Sequence, residues 1–431
     1  MFRVGVFIVF LFFVQGCKTV SAWYDSTIHP KTHAYKELKS CKFKDVISVI
    51  KDDNKNILLR NSEIGLAHYY NRDYRKSIEF FERAKAAYND EYRIAPNTAW
   101  SNYFLNEYAG ESYDKVFIYN YNALNYLLLG DIERARQEAK KSYILQEQER
   151  VKARAFKQEY SKKNRNRHLI SHYQKLFSSV DIRHNPYQNP FAYYISALAN
   201  IESDNYGIAM SDINTAQNFL FDKTYDLIER KRKEYEDENY KNSVEIFFDI
   251  GRGPLKYEKK EMLDIGNGEI RQAYLPTYNI THSQVSFIKI LDQNNNEVAI
   301  SSLLTDINAI KVNEFKEKLP SLLYMLSKET ATDFVAFTAE QKSKIVSTIL
   351  RMSFAMYGKN NTSTWSLLPE KILVASFIPK KDNSYKMQVF SKSGNILDEK
   401  VLNISKNNKT KNIYRHFSIR EKRICENEEM R

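Results

Sequence analysis

The chain has 431 residues and a formal net charge of +12, because 65 Lys and Arg outnumber 53 Asp and Glu. This length allows roughly two or three domains. Its 30 Tyr and 25 Phe against 12 Gly and 9 Pro argue against a disordered chain, since disordered chains are poor in aromatic residues.

The N-terminal end of the chain has the pattern of an export signal. Arg3 supplies a positive charge, and an apolar run follows it from residue 4 to residue 14. Eleven residues are too few to span a bilayer as a helix, which needs about 20. A positive end, a short apolar core and a small residue before a cut site are typical of a secretory signal. We therefore predict a signal peptide over residues 1–16.

Cys17 is the predicted site of lipid attachment. Val14 lies three residues before it and the small Gly16 directly before it, an arrangement that resembles the lipobox of bacterial lipoproteins. Gln15 departs from that pattern, because its position usually holds a small residue. The resemblance implies several acyl chains on Cys17, enough for stable anchoring, and Lys18 in place of Asp implies the outer membrane, facing the periplasm. The alternatives are a secretory signal cut elsewhere and a buried apolar strand.

A location in the cell envelope limits the partners of a basic protein. Removal of residues 1–16 takes away Arg3 as the only charge, so the mature chain keeps a net charge of about +11. Outside the cytoplasm such a surface meets anionic lipid headgroups or wall polymers, and not nucleic acid. Cys41 and Cys425 are the other two cysteines, and we interpret both as unpaired, because two lone cysteines do not form a disulfide framework. Export would still permit a disulfide between them.

Three segments of the N-terminal half share a pattern of two short helices. Each segment carries a small residue on its first helix and another small residue twelve positions later on its second helix. These pairs are Gly65 and Ser77, Ala123 and Ala135, and Ala197 and Ala209. Small residues let two antiparallel helices approach closely, and flanking aromatic residues fill the space around them. The pattern resembles the helical hairpins of tetratricopeptide (TPR) repeats.

The hairpins are not tandem repeats. Their equivalent positions lie 58 and then 74 residues apart, well over the spacing of about 34 in tandem TPR units. We predict an interrupted TPR-like domain over residues 46–225, whose concave face would bind a peptide or protein partner. An all-α bundle without a recognition surface is the alternative. Residues 17–45 would form the lipidated N-terminus and tether.

A charged insertion interrupts this domain over residues 146–186. Its first part, residues 146–167, contains eight Lys and Arg. These cations could touch lipid headgroups or an acidic partner. A solvated helical face explains the run more simply, because surface charges usually need no partner. A second charged stretch, residues 226–243, is predicted to be a final helix that runs into a linker.

The C-terminal half has the shorter period of β-strands. Strand patterns occur at residues 244–250, 271–278, 285–291, 371–378, 384–390 and 400–404. Helical periodicity returns between them over residues 305–357. We predict a β-sandwich-like domain over residues 244–404 with this helical insertion, followed by a polar, loosely ordered tail over residues 405–431. The predicted fold class is therefore α+β.

Candidate catalytic and metal-binding motifs are weak. His168 and His172 share a helical face, and His29 and His33 repeat that spacing, but neither pair has the further ligands that a zinc site needs. The GRGP motif at residues 251–254 lacks the lysine and the following helix of a phosphate-binding loop, so it predicts a tight turn. We predict no catalytic residue, no metal and no cofactor.

Several short motifs carry a resemblance to a known family. They are residues 113–119, 123–126, 130–131, 135–136 and 145–147, then Asn189-Pro-Phe-Ala192, the GRGP motif, Leu275-Pro276, Leu304-Thr-Asp-Ile307, Trp365 and Leu368-Pro369. Through these motifs the chain resembles a family of uncharacterised TPR-containing bacterial lipoproteins over most of its mature length. The family has no assigned activity. Its members are often encoded near lipoprotein activators of penicillin-binding proteins, which implies a role in envelope or cell-wall assembly by association only.

Two functions from different classes follow. The first is a lipid-anchored envelope scaffold, not an enzyme, that binds partner proteins through its TPR-like hairpins. The second is an envelope enzyme or a wall-polymer-binding protein that acts through its β module. This second function predicts a deep pocket with clustered carboxylates or histidines near residues 305–365. We favour the scaffold, because the sequence contains no convergent catalytic set.

Overall fold

The computed structural model describes residues 30–51, 56–94, 110–160, 166–181, 183–219, 223–237, 242–266, 268–340, 363–379, 384–404 and 409–425. The predicted signal peptide, Cys17 and the predicted tether up to residue 29 lie outside the described residues.

Within these residues, ten helices precede the first strand. They are α1 (Pro30–Lys39), α2 (Phe43–Lys51), α3 (Ile57–Tyr70), α4 (Tyr74–Ile94), α5 (Ser112–Leu129), α6 (Ile132–Tyr160), α7 (Arg167–Leu176), α8 (Pro190–Glu202), α9 (Tyr206–Gln217) and α10 (Lys223–Glu236). Helices α3 and α4, α5 and α6, and α8 and α9 pack in pairs after connections of two or three residues. The helices of all three predicted hairpins are therefore present.

Local sequence sets the ends of these helices. The Asn56 side chain accepts a hydrogen bond from the backbone N–H of Leu59 at the start of α3 (2.8 Å), and Asn189 accepts one from Phe191 at the start of α8 (3.0 Å). Each bond satisfies a backbone donor that the first turn of a helix leaves without a partner. Gly130 ends α5 in the left-handed conformation (φ 75°), which glycine adopts without steric cost.

The small residues predicted at the helix crossings are buried where the paired helices meet. The alanines Ala123, Ala135, Ala197 and Ala209 have no exposed surface. Gly65 of α3 shows why size matters, because a methyl group on its Cα would come within 2.7 Å of the Phe81 ring in α4. A larger side chain would have to push the two helices apart.

Eleven strands and one further helix make up the C-terminal half of the described chain. They are β1 (Val244–Ile250), β2 (Leu255–Gly266), β3 (Glu269–Asn279), β4 (Val285–Leu291), β5 (Glu297–Ile300), β6 (Ser302–Asp306), α11 (Ile307–Glu340), β7 (Lys371–Phe377), β8 (Ser384–Ser391), β9 (Ile396–Asn403), β10 (Ile413–Arg420) and β11 (Arg423–Ile424). One sheet has the order β11-β10-β1-β7-β6, another has the order β5-β4-β8-β9, and β2 and β3 form a third. The pair β1 and β10 is parallel, and the other described pairs are antiparallel.

Strand β1 lies at the centre of the fold, because its two faces contact different layers. Val244, Ile246, Phe248 and Ile250 pack with buried residues of the four-stranded sheet. Phe247, on the other face, packs with the helices. The five-stranded sheet therefore lies between the helices and the four-stranded sheet, and a strand buried on both faces has the nearly continuous apolar sequence seen here.

The β2–β3 hairpin has a smaller core of its own with α7 and α11. Leu263 of β2 and Leu275 of β3 have no exposed surface and pack there with Tyr173 of α7 and Leu319 of α11. Phe315 of α11 meets the Tyr173 ring edge-on at 5.5 Å. Helix α11, which falls in the predicted insertion, therefore supports the hairpin.

The chain is α+β, as its sequence predicts. Residues 341–357 of the predicted helical insertion lie outside the described residues. Among the helices that the structure describes, none is long and apolar enough to cross a bilayer.

Three segments that we predicted to be peripheral contribute to the packed core. Helices α1 and α2 begin within the predicted tether, and Leu38 and Phe43 are buried there. Helix α10 overlaps residues 226–243, which we predicted to be a final helix that runs into a linker, and it buries Ile228. Strands β10 and β11 lie in the predicted polar tail, where Ile419 has no exposed surface. The prediction of a loosely ordered tail is wrong for residues 409–425, because β10 pairs with β1 along its length.

Cys41 and Cys425 form a disulfide, so the prediction that both are unpaired is wrong. Their Cα atoms lie 5.4 Å apart although 384 residues separate them in sequence. Cys41 lies between α1 and α2, and Cys425 directly follows β11. The bond forms because β10 carries the C-terminal part of the chain into the sheet beside the first helices.

Candidate functional site

Residues 364–370, here called the junction segment, lie between the helical hairpins and the five-stranded sheet, directly before β7. Trp365 is the largest of them and has no exposed surface. Its indole lies 6.1 Å from the ring of Phe81 in α4 and 6.4 Å from the ring of Tyr121 in α5, edge-on in both cases. The junction segment therefore fills the space between the hairpins and the sheet.

Side chains of α3 hold the backbone of the junction segment. The Glu63 carboxylate accepts hydrogen bonds from the backbone N–H groups of Ser366 (2.6 Å) and Leu367 (2.9 Å). It also accepts one from the Ser366 hydroxyl (2.7 Å). The Tyr70 hydroxyl donates to the Leu367 carbonyl (2.9 Å). Buried backbone groups need hydrogen-bond partners, and side chains of α3 supply them to the junction segment, as the side chains of a binding groove supply them to a peptide.

Lys311, near the start of α11, holds the junction segment from another side. Its ammonium donates to the Trp365 carbonyl (3.0 Å) and lies 5.3 Å above the ring of Tyr113 in α5. Burial lowers the pKa of Lys311 to about 8, although the carboxylates of Asp114 and Glu63 act in the opposite direction. Because the Lys311 side chain is fully buried, its contacts are with the protein itself.

Glu370 ends the junction segment and joins it to the sheet. Its backbone N–H donates to the carbonyl of Ile250 in β1 (2.8 Å), and its carbonyl accepts from the N–H of Ile307 in α11 (2.8 Å). Its buried carboxylate accepts from the Ser283 N–H (2.5 Å) and lies 3.7 Å from Nδ1 of the exposed His282. Burial raises the pKa of Glu370.

The GRGP motif and the Leu304-Thr-Asp-Ile307 motif, two of those that carry the family resemblance, meet at the junction segment. The N–H of Gly253, in the GRGP motif, donates to the Leu368 carbonyl (2.7 Å). A methyl group on Gly253 would come within 3.1 Å of the Pro369 carbonyl, so the two backbones approach closely. Gly251 has a φ of 64°, which fits a tight turn. Packing around one segment thus gives these motifs a shared structural role.

Asp249 and His416 form a buried polar group on the sheet face that meets the helices. Their side chains meet at 2.8 Å between β1 and β10. The hydroxyl of Tyr121 in α5 donates to the other Asp249 oxygen (2.7 Å), and the ring of Tyr69 in α3 lies 4.0 Å from the His416 ring. Burial lowers the pKa of His416, although Asp249 acts in the opposite direction. This group ties two helices to two strands.

Glu245, the other carboxylate on this face of β1, is held in the same manner. It is fully buried and forms an ion pair with Lys231 of α10. The hydroxyls of Tyr194 in α8 (2.8 Å) and Ser376 in β7 (2.9 Å) donate to it. A buried charge without a partner is strongly destabilising, so these contacts fix the helices in one position on the sheet.

Buried carboxylates do occur near residues 305–365, where the enzyme alternative predicts a pocket. Glu314 of α11 forms an ion pair with Lys318 and accepts from the Ser112 N–H (3.3 Å). Lys318 also lies 3.1 Å from Glu111 at the start of α5. All four residues are buried, and their contacts join α11 to α5. Within the described ranges, no group of three His, Cys, Asp or Glu side chains could hold a metal ion.

Among the candidate site residues of the sequence, His168 and His172 have described side chains, and neither lies at the junction segment. Cys17, His29 and the side chain of His33 lie outside the described residues. His168 and His172 are exposed on α7, and Nε2 of His172 lies 3.1 Å from Nζ of Lys259 in β2. A lysine is not a metal ligand of the kind that zinc takes, so this contact does not extend the pair to a metal site.

The charged run at residues 146–167 lies largely on α6. Several of its cations pair with carboxylates: Arg150 with Glu147, Lys152 with Glu149, and Lys157 with Glu317. The opposite side of the helix is buried at Gln146 and Ala153. For these cations, the pairing favours a solvated helical face over a basic surface for lipid headgroups or an acidic partner.

Sequence reasoning missed the buried polar side chains where the helices, the junction segment and the five-stranded sheet meet. They are Glu63, Asp249, Lys311, Glu370 and His416. A signal existed in β1, whose sequence VEIFFDI places two carboxylates on one face of an otherwise apolar strand. Glu63 carries no such signal, because its partner Ser366 lies 303 residues away.

No protein-family model matches the chain, and no curated protein matches it. The family resemblance of the sequence motifs therefore stays a prediction.

Proposed function

We propose that the protein is a lipid-anchored scaffold of a bacterial cell envelope, held at the outer membrane by acyl chains on Cys17 and facing the periplasm. In this proposal it binds a partner protein and is not an enzyme. The Cys41–Cys425 disulfide carries the proposed location outside the cytoplasm. Disulfides persist in oxidising compartments and are rare in the cytosol. The bond therefore supports export independently of the N-terminal sequence.

The finer architecture is part of the proposal. We take the three hairpins as TPR-like, because small residues lie where each pair of helices crosses. We take the two facing sheets as β-sandwich-like, because their inner faces share one apolar core. The inner side of the hairpins packs on the protein's own sheet and junction segment. A partner therefore has to bind on another side of the helices.

The outer face of α6 is the surface that best fits a partner protein. Tyr143, Ile144 and Val151 are exposed there at 52%, 46% and 55%, and their spacing places them on one side of the helix. The Tyr143 ring lies 5.8 Å from Tyr193 of α8, which restricts its motion before binding. Aromatic and apolar residues with Arg150 beside them are typical of interface centres.

Replacing Cys17 by serine is expected to move the protein from the membrane fraction to the soluble fraction after a high-salt wash, because the acyl chains are the proposed anchor. Fractionation of cells and the mass of the N-terminal peptide measure this. Tyr257→Ser, an exposed position in β2, is the control, since it leaves both the lipidation site and the disulfide intact and should stay in the membrane. A Cys17→Ser protein that remained membrane-bound and was cut normally would contradict the lipid anchor.

A photo-crosslinking amino acid placed at Tyr143 is expected to form an adduct with one partner protein in living cells. Adding Ile144→Glu should lower the yield at least about tenfold, since interface centres contribute most of the binding energy. Mass spectrometry identifies the adduct. The matched control is Tyr257 in β2, which is similarly exposed at 41%. The same adducts at both positions, or none at Tyr143, would contradict this partner surface.

A further inference from the structure

The first two helices and the last described strands form one surface. The disulfide holds the turn between α1 and α2 next to β11. Nearby, Nζ of Lys39 lies 2.6 Å from the carboxylate of Glu421 in the turn between β10 and β11. Side chains of α1, α2 and this turn are therefore neighbours in space, and we call this surface the basic end.

Cations outnumber carboxylates on the basic end. Among the side chains described there, the exposed cations are Lys36, Lys39, Lys42, Lys44, Lys51, Lys422 and Arg423, and the carboxylates are Glu37, Asp45 and Glu421. Glu421 pairs with Lys39, and Glu37 lies 3.8 Å from Lys42. These described side chains keep a net positive charge after the pairs are counted, and the neighbouring Asp52, Asp53, Glu426, Glu428 and Glu429 lie outside the described residues.

The helices of the basic end turn their cations away from the core. On α1, Ala34 and Leu38 are buried, whereas Lys36 and Lys39 are exposed on the opposite side. Helix α2 likewise buries Val46 in the helical core and exposes its lysines. This is the arrangement of a surface helix with one apolar and one charged side.

The basic end also lies close in sequence to the predicted lipid anchor, and this step rests on the proposed function. Twelve residues, 18–29, separate Cys17 from Pro30 at the start of α1. A chain of that length spans at most about 40 Å when fully extended. Of the parts of the chain that the structure describes, the basic end is therefore separated from Cys17 by the fewest residues.

We propose that the basic end binds anionic phospholipid headgroups of the membrane that receives the acyl chains, and so fixes which side of the protein faces that membrane. Each Lys or Arg close to an anionic surface strengthens binding by about fivefold. The attraction acts within a Debye length, about 8 Å at physiological ionic strength. The acyl anchor brings the cations within that range, and the two attachments reinforce each other.

The test uses the full mature chain with Cys17→Ser and no acyl chains, so that vesicle binding measures the basic end alone. The protein should sediment with vesicles of phosphatidylcholine and phosphatidylglycerol, and not with vesicles of phosphatidylcholine alone. Binding should weaken steeply when ionic strength rises from about 0.01 M to about 0.15 M, because the Debye length falls from about 30 Å to about 8 Å.

Charge reversal locates the binding surface. The triple change Lys36→Glu, Lys42→Glu and Lys422→Glu is expected to lower the affinity for anionic vesicles at least about tenfold. The control reverses three exposed lysines elsewhere, namely Lys140, Lys233 and Lys260, and has the same net charge. It should lose much less affinity. Circular dichroism checks that both variants fold. If the triple variant does not fold, Lys36→Gln alone is used in its place, and its affinity for anionic vesicles is expected to fall about fivefold.

Three results would overturn the proposal. One is equal loss of affinity in the triple variant and its control, which would mark a general effect of net charge. Another is the absence of binding to anionic vesicles at low ionic strength. The third is binding to purified wall polymer in preference to vesicles. None of them bears on the lipid anchor, because fractionation of Cys17→Ser after a high-salt wash tests that separately.

Discussion

Replacing Cys41 by serine is expected to lower the free energy of unfolding by about 4 kcal/mol. The disulfide joins residues 384 positions apart, so it closes nearly the whole described chain into one loop. A bond of this kind acts mainly by removing conformations from the unfolded chain, and longer loops lose more of them. Urea unfolding of the mature chain with Cys17→Ser measures the change, since the sequence then holds no thiols other than Cys41 and Cys425.

The matched variants separate loss of the bond from loss of a side chain. Cys425→Ser should cost about as much as Cys41→Ser, and the double replacement little more, because either single change already removes the disulfide. A reductant should destabilise the parent protein and leave the double variant unchanged. Free thiols in the unreduced parent after unfolding would contradict the disulfide and remove the support that it gives to export.

The disulfide could not be predicted from sequence because it depends on a long-range pairing of strands. It requires β10 to lie parallel beside β1, and these strands begin at Ile413 and Val244. Strand β10 alternates polar and apolar residues, which is typical of a strand with one solvent-facing side. Its polar Tyr414 and His416 instead face the helices and bond to buried partners there. The segment therefore resembled a polar tail.

Elements with strong local patterns were predicted well. The ranges of β1 and β4 agree with the predicted strands, because short segments rich in β-branched and aromatic residues are strong local signals. Strand β2 was missed because its sequence LKYEKKEMLDIG is dominated by charges, and its Leu263 is buried only through α7 and α11. Where the burial of a strand depends on elements that are distant in sequence, the alternation of polar and apolar residues along the strand does not predict it.

The hairpin crossings could be predicted, whereas the layer that covers them could not. The spacing of Gly65 and Ser77 reports a contact between two neighbouring helices, which is encoded locally. The covering layer depends on Trp365 and on Glu63, whose contacts join residues about 300 positions apart. A buried glutamate looks like a surface residue in the sequence, because Glu is almost always exposed unless it is paired.

Replacing Trp365 by alanine is expected to lower the free energy of unfolding by about 3–5 kcal/mol, the range for a large aromatic side chain removed from a packed core. The indole has no exposed surface and lies between Phe81 and Tyr121, so its loss leaves a cavity lined by rings that cannot all move inward. Urea unfolding measures the cost. Tyr143→Ala is the control, because that ring is 52% exposed and should change stability by about 0.5 kcal/mol or less.

Trp365→Ala also tests whether the contacts of Trp365 and those of Glu63 stabilise the junction segment together. Glu63→Gln keeps the size of the side chain but weakens the acceptor for two backbone N–H groups, at an expected cost of about 1–3 kcal/mol. If Trp365 and Glu63 hold the same segment, removing the indole makes that segment less ordered. The hydrogen bonds from Glu63 then contribute less to the free energy of unfolding. The double variant should then cost less than the sum of the single costs by about 0.5 kcal/mol or more. Additive costs would mean that α3 holds its backbone partners independently of the indole, and the junction segment would not then act as a peptide bound by its own chain.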